Sequence, residues 1–119
     1  MIPTTVLVVD DSEDQAELLR RYLEKAGCSV TTTSSAEGAI ASYRATTPDL
    51  AIIDLVLPGM DGWELVAQVR RDIPECAIVV TSVLNTAKFP AADAILPKPF
   101  TGAQVRQVLA DLVPRRSEL

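Results

Sequence analysis

Short apolar runs alternate along this chain with longer segments in which apolar residues recur every three or four positions. The runs are rich in branched aliphatic residues and threonine, a composition that predicts β-strands. The predicted strands cover residues 6–9, 28–33, 50–53, 78–83 and 94–96. Because helical segments separate them, the pattern predicts a parallel sheet with helices on both faces and right-handed crossovers.

Four segments predict helices, and each follows a side chain that can accept a hydrogen bond from the first helical turn. The predicted helices run from Ser12 to Gly27, from Ser34 or Ser35 through Ala45, from near Asp61 until Pro74 bars continuation, and from about Thr101 to a stop before Pro114. Apolar residues at helical spacing mark the faces expected to meet the sheet. These residues are Ala16, Leu19, Leu23 and Ala26 in the first helix, Leu65, Val66 and Val69 in the third segment, and Val105, Val108, Leu109 and Leu112 in the last.

The connection between the fourth and fifth strands is unusually short for a sheet of this kind. Residues 84–93 leave about ten positions for a crossover, which needs at least about 10–12 residues when it contains a helix. Pro90 also disfavours helical geometry at Phe89. We therefore predict that the fourth helix of the expected series is short or irregular, with Phe89 as its apolar anchor.

The size and charge of the chain indicate one small domain. Its 119 residues suit a single hydrophobic core, which we expect over residues 6–113 of a domain spanning 1–119, with a polar tail at 114–119. The net charge of −5 argues against direct nucleic-acid binding. No stretch reaches the roughly 18 apolar residues that a membrane span requires. We therefore expect a soluble, cytoplasmic protein.

Few residue types remain for metal or redox chemistry. The chain has no histidine, and its two cysteines, Cys28 and Cys76, match no metal-binding spacing. The expected state is a pair of reduced thiols that pack in the fold, as in a reducing compartment. Candidate chemistry must therefore come from carboxylates, hydroxyls and lysine.

Such groups follow four of the predicted strands. Asp10 and Asp11 end the first apolar run, Asp54 ends the third, Thr81 lies at the end of the fourth, and Lys98 follows the fifth. Open α/β sheets bind ligands at the carboxyl ends of their strands, so these side chains are expected to converge. Clustered carboxylates repel one another unless a cation neutralises them, and Mg²⁺ is the natural oxygen-seeking candidate.

This order of residues resembles the receiver domain of two-component response regulators, over about residues 6–113. The resemblance also rests on Pro58-Gly59-x-Asp61-Gly62 after Asp54 and on the Lys98-Pro99-Phe100 sequence. It implies a flavodoxin-like, doubly wound, five-stranded parallel sheet with strand order 2-1-3-4-5 and helices on both faces. The short connection before the fifth strand places the chain among atypical receivers.

The resemblance implies a phosphoacceptor rather than an enzyme acting on separate substrates. Asp54 would accept a phosphoryl group from a histidine kinase or phosphotransfer protein in a Mg²⁺-dependent reaction, and its only chemistry would be self-phosphorylation and self-dephosphorylation. Thr81 and Lys98 would contact the phosphoryl oxygens. The signal would be relayed by conformational change to a protein target that the sequence does not identify. The domain is expected to be a monomer or a weak dimer.

The resemblance also implies a ligand set for the metal ion. Asp11 and Asp54 would bind Mg²⁺ directly, Asp10 would act mainly through water, and the Val56 main-chain carbonyl would be a third protein ligand. A further expectation concerns the Lys98-Pro99 peptide bond, which receivers hold in the cis form; X-Pro bonds adopt it at a cost of about 0.5–1 kcal/mol.

Two positions depart from the receiver pattern. Receivers usually carry an aromatic residue three positions before the lysine, where this chain has Ile95, so aromatic switching as such is not available. The residue after Thr81 is commonly alanine or glycine in receivers and is Ser82 here. The first difference concerns the output mechanism, and the second adds a hydroxyl next to the expected site.

Each signal taken alone also has a simpler interpretation. An acidic pair before a helix is often a cap, and Asp54 alone would fit a loop-initiating turn. A phosphohydrolase with an aspartyl nucleophile is a second hypothesis, but the dehalogenase-like type needs an acid at Val56. A flavodoxin-like electron carrier would need a glycine- and hydroxyl-rich loop in place of residues 10–14. A pseudo-receiver that binds partners without phosphorylation is the fourth hypothesis.

Overall fold

The computed structural model describes residues 3–57, 59–82 and 92–113. Strands and helices alternate along most of this part of the chain. The strands are Thr5–Val9 (β1), Ser29–Thr33 (β2), Leu50–Asp54 (β3), Ala77–Ser82 (β4) and Ala94–Pro97 (β5). The helices are Glu13–Lys25 (α1), Ala36–Ala45 (α2), Gly62–Asp72 (α3) and Gly102–Leu112 (α4).

The five strands form one parallel sheet in the order β2-β1-β3-β4-β5. This is the doubly wound, flavodoxin-like arrangement, and the predicted fold class is confirmed. In the register, Val9 lies beside Ile53 and Asp54 lies beside Thr81. The carboxyl ends of the central strands are therefore level with one another, which brings the residues that follow them to the same edge.

The core lies on both faces of the sheet. On one face, side chains from β1, β3 and β4 pack against α2 and α3. On the other face, the alternate side chains of the same strands pack against α1 and α4. β3 is buried at all five positions, because it is central and covered on both sides. The last residue of this buried strand is Asp54.

Helix starts agree closely with the predicted caps. Ser12, Ser35, Asp61 and Thr101 each accept a hydrogen bond from a main-chain N–H of the following helix. The predicted faces of α3 and α4 are buried or partly buried. In α1 the assignment of Ala26 to the inward face is wrong: Ala26 caps the carboxyl end of the helix and is exposed, because the chain leaves the helix at Gly27, where φ is +93°.

Several strand limits differ from the predicted ones by one residue. β2 begins at Ser29 rather than at Cys28, and β5 continues through Pro97. The predicted short or irregular fourth helix and its anchor Phe89 lie outside the described residues, as does the polar tail at 114–119. In the described ranges, no helix has the length and apolar character needed to cross a membrane.

Candidate functional site

Asp54 brings a carboxylate to the end of the most deeply buried strand. Only 6% of the residue is exposed. Its Oδ1 accepts a hydrogen bond from the Val56 main-chain N–H at 3.0 Å, and its Oδ2 accepts one from Lys98 Nζ at 3.0 Å. The turn-like Asp54–Val56 bond fits the simpler interpretation of this residue. A local turn does not explain the contact with Lys98, which is 44 positions away and follows β5. This contact connects the ends of two different strands.

Asp10 is a second buried carboxylate, directly after β1, with 3% exposure. Its Oδ1 accepts from the Ser12 N–H at 2.9 Å, and its Oδ2 accepts from Lys98 Nζ at 3.1 Å. Burial raises the pKa of Asp10 above its ordinary value, and it outweighs the Ser12 and Lys98 interactions that act in the opposite direction. The fold thus holds this acid where its charge is disfavoured. The cap of α1 is Ser12, not the acidic pair.

Lys98 joins the two buried carboxylates. Its ammonium lies within 3.1 Å of Asp10 and 3.0 Å of Asp54, with 11% of the side chain exposed. Burial alone would lower the pKa of Lys98, but the hydrogen bonds and charges of Asp54 and Asp10 together raise it. The Lys98-Pro99 peptide bond is cis, which confirms the prediction. Because its pKa is raised, the Lys98 side chain stays protonated within the acidic cluster.

Asp10, Asp11 and Asp54 form a group that suits a cation. One carboxylate oxygen from each lies within 4.8 Å of the others. Asp11 is exposed, in contrast to Asp10 and Asp54. Three oxygen donors with an open side fit a hard divalent ion such as Mg²⁺, which takes one or two carboxylates and keeps several waters. The donor set contains no nitrogen or sulfur ligand that would favour a softer metal.

Thr81 in β4 completes the predicted set, and Ser82 is the additional hydroxyl residue next to it. Thr81 lies beside Asp54 in the sheet register and is 1% exposed; its main-chain carbonyl accepts from the Leu55 N–H at 3.1 Å. Ser82 is also buried, and its carbonyl accepts from the Lys98 N–H at 3.0 Å. The main chain of β4 therefore fixes both the residue after Asp54 and the lysine itself.

The structure brings together the acids, Thr81 and Lys98 that the sequence singled out. Val56 lies two residues after Asp54 and is 59% exposed. Sequence reasoning did not find the main-chain supports: the Ser12 N–H that holds Asp10, and the Leu55 peptide next to Asp54. The spacing of Ser12 two residues after Asp10 would have indicated the first of these, since aspartate commonly bonds the N–H two positions on.

Comparison with known proteins identifies the family. A model of the response regulator receiver domain matches residues 6–110. The chain belongs to this family. It is therefore a phosphoacceptor signalling domain of the two-component type, a class that binds Mg²⁺ at an acidic pocket and interacts with histidine kinases or phosphotransfer proteins.

Two curated relatives from Bacillus subtilis are named as transcriptional regulatory proteins. The alkaline phosphatase synthesis transcriptional regulatory protein PhoP is 32% identical over 124 residues, covering 96% of this chain and 50% of PhoP. The transcriptional regulatory protein ResD is 32% identical over 120 residues, covering 97% of this chain and 50% of ResD. The receiver domain described here thus spans about half the length of these relatives.

Solved structures share the fold over nearly the whole chain. The chemotaxis response regulator CheY4 of Vibrio cholerae matches with a TM-score of 0.87 and 26% identity, covering 94% of this chain and 100% of that chain. A two-component response regulator from Clostridium difficile matches with a TM-score of 0.88 and 24% identity, covering 95% of this chain and 98% of that chain. The second likeness bears on the fold alone.

Proposed function

We propose that Asp54 is the phosphoacceptor of this receiver domain. The observation that carries the proposal is the position of the Asp54 carboxylate, at the end of β3 and in contact with the Lys98 ammonium. A carboxylate can act as the nucleophile that takes a phosphoryl group, and cations around it stabilise charge on the peripheral oxygens. Asp10 is also bonded to Lys98, but burial disfavours its charge, which suits it less as a nucleophile.

The resemblance to receiver domains supplies the metal ligands, and the grouping of Asp10, Asp11 and Asp54 supports three of them. Asp11 and Asp54 would bind Mg²⁺ directly, Asp10 would act through water, and the Val56 carbonyl would be the third protein ligand. When bound, Mg²⁺ neutralises the clustered carboxylates and draws charge from the phosphoryl oxygens.

Lys98 and Thr81 act on the phosphoryl group itself. The Lys98 ammonium contacts the oxygens of phosphorylated Asp54, and the Thr81 hydroxyl donates to another of them. The domain catalyses only its own phosphorylation and dephosphorylation, with a histidine kinase or phosphotransfer protein as donor. Residues 1–119 form one cytoplasmic domain, a monomer or weak dimer, that signals to another protein rather than binding nucleic acid directly.

Phosphorylation by a small donor tests this proposal. The protein is incubated with acetyl phosphate, with and without Mg²⁺, and its intact mass is measured. We expect a gain of one phosphoryl group that requires Mg²⁺ and is lost in Asp54→Asn. Asp14→Asn removes the same charge from an exposed position in α1 and should leave the gain unchanged.

The opposite results are equally informative. If the Asp54→Asn variant still gains a phosphoryl group, another residue is the acceptor. No gain under any condition would favour the pseudo-receiver hypothesis, in which the domain binds partners without phosphorylation.

A further inference from the structure

Gly62 makes an exceptionally close contact with the main chain of the proposed phosphoacceptor. It is the first residue of α3 and is buried. A Cβ atom at this position would lie 2.3 Å from the Asp54 carbonyl oxygen and 2.4 Å from Leu55 Cα. Carbon atoms in contact normally lie about 3.5–4.0 Å apart, so any side chain here would force α3 and the end of β3 apart by about 1 Å.

The atoms that would be displaced hold the site together. The Leu55 N–H donates to Thr81 O at 3.1 Å, and the Leu55 carbonyl accepts from the Gly62 N–H at 3.1 Å. The Leu55 peptide thus connects β3 to β4 on one side and to α3 on the other. The Leu55–Gly62 bond also closes the loop that begins with Val56, whose N–H donates to the Asp54 carboxylate.

We propose that Gly62 is a positioning residue for the metal site. Its lack of a side chain lets α3 close on the Asp54–Leu55 peptide, which holds the Asp54 carboxylate and the Val56 carbonyl within reach of one ion. This inference rests on the proposed function, since it concerns the Mg²⁺ ligands assigned there. The φ angle of Gly62 is not positive, since Gly27 and Gly59 are the glycines with positive φ among the described residues. The requirement is therefore one of space.

Gly102 offers a matched control. Like Gly62 it is the first residue of a helix and follows a capping side chain, Thr101. Its Cβ would lie 3.1 Å from the ring of Tyr22 and 3.3 Å from Arg106 Nη1, which are side-chain atoms rather than the backbone of the site. Gly62→Ala and Gly102→Ala therefore introduce the same methyl group at equivalent helix positions, with only the first adjoining the Mg²⁺ ligands.

The test compares Mg²⁺ affinity by titration calorimetry under conditions in which circular dichroism shows each variant to be folded. We expect Gly62→Ala to bind Mg²⁺ about 10- to 100-fold more weakly than the unaltered protein, the range typical when the support of a metal ligand is lost. Gly102→Ala should bind within about twofold of it. The Mg²⁺ concentration for half-maximal phosphorylation by acetyl phosphate should rise in parallel in Gly62→Ala alone.

A second pair of variants covers the case in which Gly62→Ala does not fold. The Asp61 carboxylate accepts from the Glu64 N–H at 2.9 Å and so fixes the start of α3. Asp61→Ala and Asp61→Asn remove the same charge, but only alanine removes the hydrogen-bond acceptor. If the start of α3 positions the metal ligands, Asp61→Ala should bind Mg²⁺ several-fold more weakly than Asp61→Asn.

The results separate this inference from the function on which it rests. Unchanged Mg²⁺ affinity in Gly62→Ala, equal losses in both glycine variants, or equal affinities in the Asp61 pair would overturn the role of Gly62 and leave the phosphoacceptor intact. An unaltered protein that binds no Mg²⁺ would contradict the proposed metal site itself, and the inference with it.

Discussion

Asp10 illustrates how a single residue at the site works against the stability of the fold. Its carboxylate is 3% exposed, and burial raises its pKa despite the hydrogen bonds from Ser12 and Lys98. Between the ordinary pKa of 3.8 and the raised value, the folded protein holds a proton that the unfolded chain has lost. Stability therefore falls as pH rises through that interval, and the loss persists at neutral pH.

We expect Asp10→Asn to stabilise the domain at pH 7 in the presence of a chelator, because it removes a buried charge. The free energy of unfolding should rise by about 0.5–2 kcal/mol, the usual range for a single stabilising substitution. The gain should shrink as pH falls and largely disappear below 3.8, where Asp10 is protonated in both states. Urea unfolding across this pH range measures it. Glu75→Gln makes the same change of net charge at an exposed residue and should alter stability by less than about 0.5 kcal/mol. A less stable Asp10→Asn would show that the hydrogen bonds of Asp10 outweigh its burial.

Residue-level prediction placed Asp54 and Lys98 together at the ends of their strands, and the two side chains are in contact there. It did not extend to contacts between helix faces. Tyr43 in α2 is buried and donates a hydrogen bond to Asp72 in α3, 29 positions away. Hydrogen bonds from Gln68 and then from Tyr43 lower the pKa of Asp72. Helical periodicity marks Tyr43 as inward-facing, but it does not specify how α2 and α3 are rotated against each other.

At the scale of elements, predictions of helix starts were accurate because caps and prolines act locally. The start of α4 is the clearest case, since Thr101 and Gln104 bond each other reciprocally. Thr101 Oγ1 accepts from the Gln104 N–H at 3.2 Å, and Gln104 Oε1 accepts from the Thr101 N–H at 2.7 Å. Several strand limits were displaced by one residue, as at the start of β2 and the end of β5, because they depend on pairing with neighbours that the local sequence does not encode.

Thr101→Ala should lower the free energy of unfolding by about 1 kcal/mol, because it leaves an N–H in the first turn of α4 without its partner. Thr101→Ser keeps the hydroxyl and should retain most of the stability. Urea unfolding of the two variants isolates the cap from the lost methyl group. Equal losses in both would attribute the effect to that methyl group instead.

For the whole molecule, the alternation of strands and helices predicted the layers of the fold, and the family resemblance added the strand order. Packing against the sheet also changes the acidity expected of the Cys76 thiol. Cys76 lies directly before β4 with 1% exposure, and burial raises its pKa from 9.0 to about 12. That change alone lowers the thiolate fraction on the order of 1,000-fold at pH 8. Cys28 is only partly buried.

Thiol labelling should therefore report on unfolding of the whole domain. In a pulse of iodoacetamide at pH 8, followed by peptide mass mapping, we expect Cys28 to react in the folded protein and Cys76 to react only as urea unfolds it. The Cys76 labelling midpoint should coincide with the unfolding midpoint from circular dichroism, because Cys76 belongs to the core between the sheet and α2 and α3. Labelling of Cys76 at urea concentrations well below that midpoint would mean that the part of the core around Cys76 opens separately. The domain would then not unfold as one cooperative unit.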